Sequence, residues 1–168
     1  KPKDFEIATD ANPSEICKIF SYAKIIGRRF KIVHVYISEK KYFEVTTFRS
    51  DIKNKSSQKK FQKMHGMIKR DNLFGSISQD AFRRDFTVNS LYLDLDSKIL
   101  HDYVNGFEDI QAKKLKLIKK PSISYQEDPV RMLRAVRFES KLDLKLTSEC
   151  KESIINMAHL INNVSPYR

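Results

Sequence analysis

Phe30-Lys31-Ile32-Val33-His34-Val35-Tyr36-Ile37, a turn near Glu39-Lys40, and Tyr42-Phe43-Glu44-Val45-Thr46-Thr47-Phe48 read as two joined β-strands. Both runs are rich in β-branched and aromatic residues, which suit a pleated, half-buried surface. Side chains alternate along a strand, so Glu44 shares a face with Thr46 and lies opposite Phe43 and Val45. A carboxylate there is either solvated or turned toward a cation that other acids share. Such acids stand upstream in Asp4-Phe5-Glu6, where alternation sets two carboxylates side by side and is expected to turn Phe5 and Ile7 into a core. Two such charges a few ångströms apart repel by roughly 3 kcal/mol at an effective dielectric near 20. A divalent cation removes that cost. Mg²⁺ takes one or two carboxylates and fills its shell with water and substrate phosphates, so the triplet suits phosphoryl or nucleotidyl transfer. The plainer alternative is a solvated surface strand.

Between the acid triplet and the hairpin, Asn12-Pro13-Ser14-Glu15 has the form of a helix start, with a capping side chain, proline at the first position and glutamate three residues on. That helix, carrying Ile16, Ile19 and Phe20, is expected to run to about Tyr22 or Ala23. After the hairpin, periodicity stops from Arg49 to Arg70. Eight basic side chains (Arg49, Lys53, Lys55, Lys59, Lys60, Lys63, Lys69, Arg70) stand there against Asp51 as the single acid. Such a stretch builds no core and is expected to be a mobile basic loop, either a solvated insertion or, through residues such as Lys59, Lys60 and Lys63, a contact for a nucleic acid backbone.

Farther on, Ser78 is read as the cap of a helix through Phe86, and Thr87–Leu93 continues it or opens another. A strand near Ile99–His101, a turn at Asn105-Gly106 and a strand at Leu115–Ile118 follow. From Ser122 the pattern is helical, with a long run from Pro129 to about Ser140 and a last helix capped at Thr147 or Ser148 that reaches about Ile161. Strands with helices first and helices afterwards predict an α+β fold: a mixed-sheet head over residues 1–126 and a helical region over 127–168.

The 168 residues suffice for one ordinary domain or two small ones, and the formal net charge of +11 favours a polyanionic partner. No apolar run approaches the roughly 20 residues that cross a bilayer, and no signal-peptide pattern opens the chain. The expectation is a soluble, cytoplasmic protein without a membrane partner. Cys17 and Cys150 lack metal-ligand spacing, and Cys17 among Ile16, Ile19 and Phe20 reads as a buried thiol.

Glu127-Asp128-Pro129-Val130-Arg131-Met132-Leu133-Arg134-Ala135-Val136-Arg137-Phe138 forms a second charged constellation. On one continuous helix, Pro129, Met132, Leu133 and Val136 fall on one side, and Glu127, Arg131, Arg134 and Phe138 on the other. The ionic face is either a salt-bridge ladder or a base-reading surface, since a carboxylate and a guanidinium offer acceptor and donor to a base edge.

Taken together, Asp4-Phe5-Glu6, Ile25-Ile26-Gly27-Arg28-Arg29-Phe30-Lys31-Ile32-Val33-His34-Val35, Arg83-Arg84-Asp85-Phe86-Thr87-Val88-Asn89-Ser90 and Glu127-Asp128-Pro129-Val130-Arg131-Met132-Leu133-Arg134 resemble, in order, the motifs of class II template-independent nucleotidyltransferases. That family includes bacterial poly(A) polymerases and CCA-adding tRNA nucleotidyltransferases, and Ile25–Phe30 resembles the poly(A) branch. The resemblance implies a nucleotidyltransferase head and helical neck, Mg²⁺ as cofactor, and ATP and an RNA 3′ end as partners. The activity implied is template-independent addition of AMP to RNA, with CCA addition to tRNA as the alternative and a catalytically lapsed RNA-binding fragment as a third reading.

By the same resemblance Asp4 and Glu6 are metal ligands, and Glu44 is a third acid. Asp85 stands with the catalytic acids or the ribose contacts, Arg83 and Arg84 with phosphate and sugar. Asp128 and Arg131 pair with the incoming base, supported by Glu127 and Arg134. Two departures stand out. Glu6 replaces the family's usual aspartate. The glycine-rich turn and helix that precede the acid pair in the family are not among residues 1–168, so the chain taken alone is expected to be inactive.

Overall fold

The computed structural model describes residues 5–27, 30–50, 63–64, 67–68 and 73–165, giving only the backbone of 63–64 and 67–68. The chain divides into two compact units, Lys1–Gln62 with Ile68–Asp80, and Lys63–Met67 with Ala81–Arg168.

In the first unit, β1 (Glu6–Thr9), β2 (Ala23–Ile26), β3 (Ile32–Ser38) and β4 (Lys41–Thr47) form a sheet in the order β1-β4-β3-β2. β1 runs parallel to β4, while β2, β3 and β4 are antiparallel neighbours, so the sheet is mixed. Helix α1 (Pro13–Ile19) opens as its sequence predicts: the Asn12 side chain accepts from the Ser14 and Glu15 amides, and Glu15 reaches back to the Asn12 amide at 2.8 Å. Such a cap contributes about 1 kcal/mol. Ile16, Val33 and Val45 close the core of this unit, with Ala11, Cys17, Ala23 and Val35 packed around them. Each buried aliphatic side chain is worth roughly 1.5–3 kcal/mol.

The structure corrects several expectations here. α1 stops at Ile19, and Ala23–Ile26 is a strand rather than the helix end. Ile19 and Phe20 are exposed, so Pro13 and Ile16, with Cys17 beside them, anchor the helix. Phe5 and Ile7 are also exposed, because α1 packs on β2 and β3 and β1 lies at the sheet edge beyond it. Gly27, which links β2 to β3, has φ +85°, and a Cβ there would lie 2.3 Å from the Phe30 carbonyl oxygen; only glycine fits this turn. Arg49, expected in the mobile loop, is buried: its amide donates to Asp80 Oδ1 at 3.0 Å and its guanidinium to the Lys31 carbonyl at 3.2 Å. Most of the remaining basic stretch lies outside the described residues, apart from short strands β5 (Lys63–Met64) and β6 (Met67–Ile68).

Helix α2 (Ile77–Arg83) is capped by Ser76, not Ser78: Ser76 Oγ accepts from the Gln79 amide, and Gln79 Oε1 accepts from the Ser76 amide. It ends before Phe86. Thr87–Asn89 is a 3₁₀ turn, and β7 (Leu91–Leu93) pairs with β8 (Leu100–Asp102).

In the second unit the predicted turn at Asn105-Gly106 opens α3 (Gly106–Gln111), with Asn105 in the left-handed region. Asp102 accepts the amides of Val104, Gly106 and Phe107. Burial pushes its carboxyl up, but amide hydrogen bonds from Phe107, Gly106, Val104 and Asn105 outweigh that and hold it below the ordinary carboxylate value.

The chain continues through β9 (Lys114–Leu115), α4 (Pro121–Glu127), α5 (Val130–Lys141), β10 (Lys145–Leu146), α6 (Ser148–Met157) and a 3₁₀ stretch over Ala158–Asn163. β10, which the periodicity does not announce, pairs in parallel with β9. Phe86, Leu115, Leu117, Tyr125, Met132, Ala135, Leu144, Leu146 and Cys150 form the core. Burial pushes the Tyr125 hydroxyl well above its ordinary range; the neighbouring Cys150 thiol is a weak partner, and the hydroxyl makes no hydrogen bond of normal geometry among the described residues. Both cysteines are free thiols, Cys150 buried and Cys17 half-buried. Among the described residues no helix is long and apolar enough to cross a membrane.

Candidate active site

Glu6 and Glu44 are register partners across the parallel β1–β4 pair, Glu44 and His34 across β4–β3, and His34 and Lys24 across β3–β2. Partners in register share a face, so the four side chains form one row across the sheet, opposite the face that carries Val33 and Val45. Glu6 is exposed. His34 stacks on Tyr42 with ring centroids 4.0 Å apart and 10° between planes, and Tyr36 meets the His34 ring at its edge. Its Nε2 lies 3.5 Å from Glu44 Oε1. That nitrogen is buried and, among the described residues, has no hydrogen bond of ordinary geometry. The His34 side chain is 13 % exposed and that of Glu44 40 %, which leaves the carboxylate reachable while the ring is held.

Asp4 lies outside the described residues. Among those described, no group of three or more His, Cys, Asp or Glu side chains is placed to hold a metal. Two adjacent carboxylates on a strand pair nonetheless give the hard oxygen donors that Mg²⁺ takes, so Glu6 and Glu44 fit such an ion. Strand alternation in the sequence draws attention to both acids but not to His34, which the register sets beside Glu44.

Asp85 sits where residues 85–88 run beside 116–118, fixed by the Phe86–Leu117 bridge and by the bonds Thr87 N–H to Lys116 O and Ile118 N–H to Asp85 O, both 3.0 Å. Its side chain is 11 % exposed. Oδ1 accepts from the Phe86 amide at 2.8 Å and from Asn89 Nδ2 at 3.2 Å, and Oδ2 from Arg134 Nε at 2.5 Å. The arrangement turns Asp85 into an anchor for Arg134, whose guanidinium also lies 5.0 Å above the Phe138 ring. Arg84 donates to the Asn89 carbonyl at 3.1 Å and covers Tyr92. Arg83, half-buried, closes α2. Asn89 was not foreseen; its spacing of four from Asp85 was the available signal.

The charged constellation is not one continuous helix. α4 ends at Glu127, Asp128 is extended (φ −151°, ψ 100°), and α5 starts at Val130. The buried arc of α5 therefore runs through Met132 and Ala135, while Leu133 and Val136, expected to pack, are exposed and Phe138 packs against the core. Asp128 Oδ1 accepts the Val130 amide at 3.2 Å. Glu127 and Arg131 still meet across the break, Nη1 to Oε2 at 3.2 Å, and Lys119 Nζ grips both Glu127 oxygens at 3.2 and 3.0 Å. Arg131 Nη1 also donates to Ser124 Oγ at 2.9 Å and to the Ser124 carbonyl at 3.2 Å. Ser124 and Lys119 were not anticipated, since both precede the Glu127–Phe138 stretch on which the helical face was drawn. The side chains of Lys59, Lys60 and Lys63 lie outside the described residues.

This arrangement has close relatives. The chain is 44 % identical over its whole length to poly(A) polymerase I of Salmonella typhi, of which it spans 36 %. It is 34 % identical over 98 % of its length to a CCA-adding enzyme of Bacillus subtilis, spanning 39 % of it. A crystal structure of the Bacillus stearothermophilus CCA-adding enzyme in complex with CTP superposes with a TM-score of 0.79 at 29 % identity, covering 97 % of this chain and 36 % of that one. Residues 1–116 match the family described as the poly A polymerase head domain. With a mixed-sheet α+β architecture to match, the chain belongs to the poly A polymerase head domain family of nucleotidyltransferases.

Proposed function

We propose that the protein in its natural full length is a polynucleotide adenylyltransferase that transfers AMP from ATP to RNA 3′ ends. The observation that carries this reading is the higher identity, across the whole chain, to a poly(A) polymerase I (44 %) than to a CCA-adding enzyme (34 %). Residues 1–126 act as the head, and 127–168 as a helical neck that begins the RNA-binding region. The setting is cytoplasmic RNA processing.

Asp4, Glu6 and Glu44 hold Mg²⁺ in this reading. Bound there, the ion neutralises triphosphate charge and makes the RNA 3′-hydroxyl more acidic. The 3′-oxygen forms a bond to the α-phosphorus as the bond to the β-bridging oxygen breaks; pyrophosphate leaves, and the hydroxyl proton passes to solvent. Arg83 and Arg84 meet phosphate and sugar, and Asp85 sets Arg134. Asp128 and Arg131 pair with the adenine edge, with Glu127 in support. The test supplies an unstructured RNA primer, Mg²⁺ and equal ATP and CTP. A long run of A with little C is expected. C-C-A added once to a tRNA lacking its end, or no metal-dependent incorporation at all, overturns the reading.

A further inference from the structure

Arg131 and Asp128 are held through one buried residue. Ser124, 1 % exposed, lies in the last turn of α4. Its carbonyl accepts the Asp128 amide at 3.1 Å and Arg131 Nη1 at 3.2 Å, and its hydroxyl accepts the same Nη1 at 2.9 Å. Glu127 Oε2 takes a further bond from that nitrogen, and Lys119 Nζ holds the Glu127 carboxylate by both oxygens. The Arg131 side chain is 14 % exposed and Lys119 20 %. Three acceptors converge on one guanidinium nitrogen, so the group cannot swing without breaking several bonds, while Nε and Nη2 remain at the opposite edge of the fork.

We propose that Ser124 and Lys119 are positioning residues that hold Arg131 in a single hydrogen-bonding geometry and thereby restrict the enzyme to one base. The inference rests on the base-reading role given to Asp128 and Arg131 above. A guanidinium able to turn can donate to either an adenine or a cytosine edge; one pinned at Nη1 presents a fixed donor pattern. Ser124 sets the end of α4 and the side chain of Arg131 together, and Lys119 keeps Glu127 from following Arg131 away.

The test compares wild type with Lys119→Met, Lys119→Arg, Ser124→Ala and Arg131→Lys in the natural full-length protein. Readouts are kcat/KM for ATP and for CTP on one RNA primer, primer affinity, and melting temperature. Lys119→Met and Ser124→Ala are expected to lower the ATP:CTP ratio by about 5-fold or more, the scale of one good base contact, through a higher KM for ATP with primer affinity unchanged. Lys119→Arg, which keeps the cation, is expected to restore the ratio. If Ser124→Ala fails to fold, the surface-reaching Lys119 pair decides alone. An unchanged ratio in Lys119→Met, with Arg131→Lys altering it, overturns the positioning role and leaves base reading in place. An unchanged ratio in Arg131→Lys overturns base reading, and this inference falls with it.

Discussion

Glu44 stands between an acid and a histidine, and the two neighbours pull on it differently. Glu6 across β1 adds like charge, which a cation relieves; His34 across β3 stands on the other side, its Nε2 3.5 Å from the carboxylate. Glu44→Gln keeps the shape and removes the charge, so transfer in the full-length protein should fall by about 10³, the scale of several kcal/mol of transition-state stabilisation. The Mg²⁺ concentration for half-maximal rate should rise, while the melting temperature stays put; near-normal turnover in a folded variant would take Glu44 out of the site. The acids were legible from strand alternation alone. His34 was not, because the register departs from simple counting: a two-residue turn at Glu39-Lys40 sets Ser38 against Lys41 and would place Val35 opposite Glu44. The irregularity between Tyr36 and Ser38 shifts the ladder by one and brings His34 there instead. Asp102 gives a test of stability at the same scale. Its carboxyl titrates below its unfolded value, so the unfolded chain binds the proton first. The contribution is present above about pH 4 and is lost as pH falls through the lowered folded value. Asp102→Ala should cost about 1–3 kcal/mol at neutral pH and flatten the melting temperature between pH 5 and pH 3, ranges set by the ordinary carboxylate near 3.9; parallel wild-type and variant curves would contradict this.

Elements succeed or fail in the sequence according to whether their signals are local. The Asn12–Glu15 capping box lies within four residues and is read off directly. The helix drawn from Glu127 to Phe138 is the exception: its break at Asp128 has a local signal in the following proline, which disfavours helical geometry there, but a wheel drawn on the charges passes over it. β9 falls at the start of the strand expected over Leu115–Ile118, whereas its partner β10, two residues long and some thirty positions away, is too short for alternation to register. α3 is placed by contact rather than propensity. A Cβ on Gly106 would lie 2.2 Å from the Thr87 carbonyl oxygen, and Thr87 Oγ1 donates to Asp109 Oδ2 at 2.7 Å, stapling α3 to the 3₁₀ turn that follows Asp85. Gly106→Ala must therefore push α3 off backbone that cannot yield. The expected cost is about 1–3 kcal/mol, the range for overpacking, with a drop in activity because the Thr87 turn continues into the Asp85 anchor. Denaturant unfolding showing no loss would mean that α3 docks less tightly than these distances require.

For the whole molecule, the charge of +11 favours a polyanionic partner such as the RNA of the proposed function, but formal charge and useful charge differ. Lys113 is paired with Asp143, Lys151 with Glu139 at 3.2 Å, and Lys119 with Glu127. A cation already neutralised within the protein releases few counterions when a phosphate arrives, whereas one without an acid nearby releases nearly its full share. Between Arg49 and Arg70 the sequence supplies eight basic residues against a single acid, so internal neutralisation is least available there. Neutralising Lys59, Lys60 and Lys63 together to glutamine should flatten the dependence of log affinity on log salt by about 0.7 per lost contact on single-stranded RNA, and by correspondingly less if some of the three do not touch phosphate. Lys113→Gln with Lys151→Gln removes exposed but paired cations and should leave the slope nearly as it was. Titrations of a fluorescent RNA across a salt series separate the cases. If both sets flatten the slope equally, binding follows net charge and not this stretch; if the Lys59 set leaves it unchanged, the stretch is a solvated insertion and the phosphate contacts lie elsewhere.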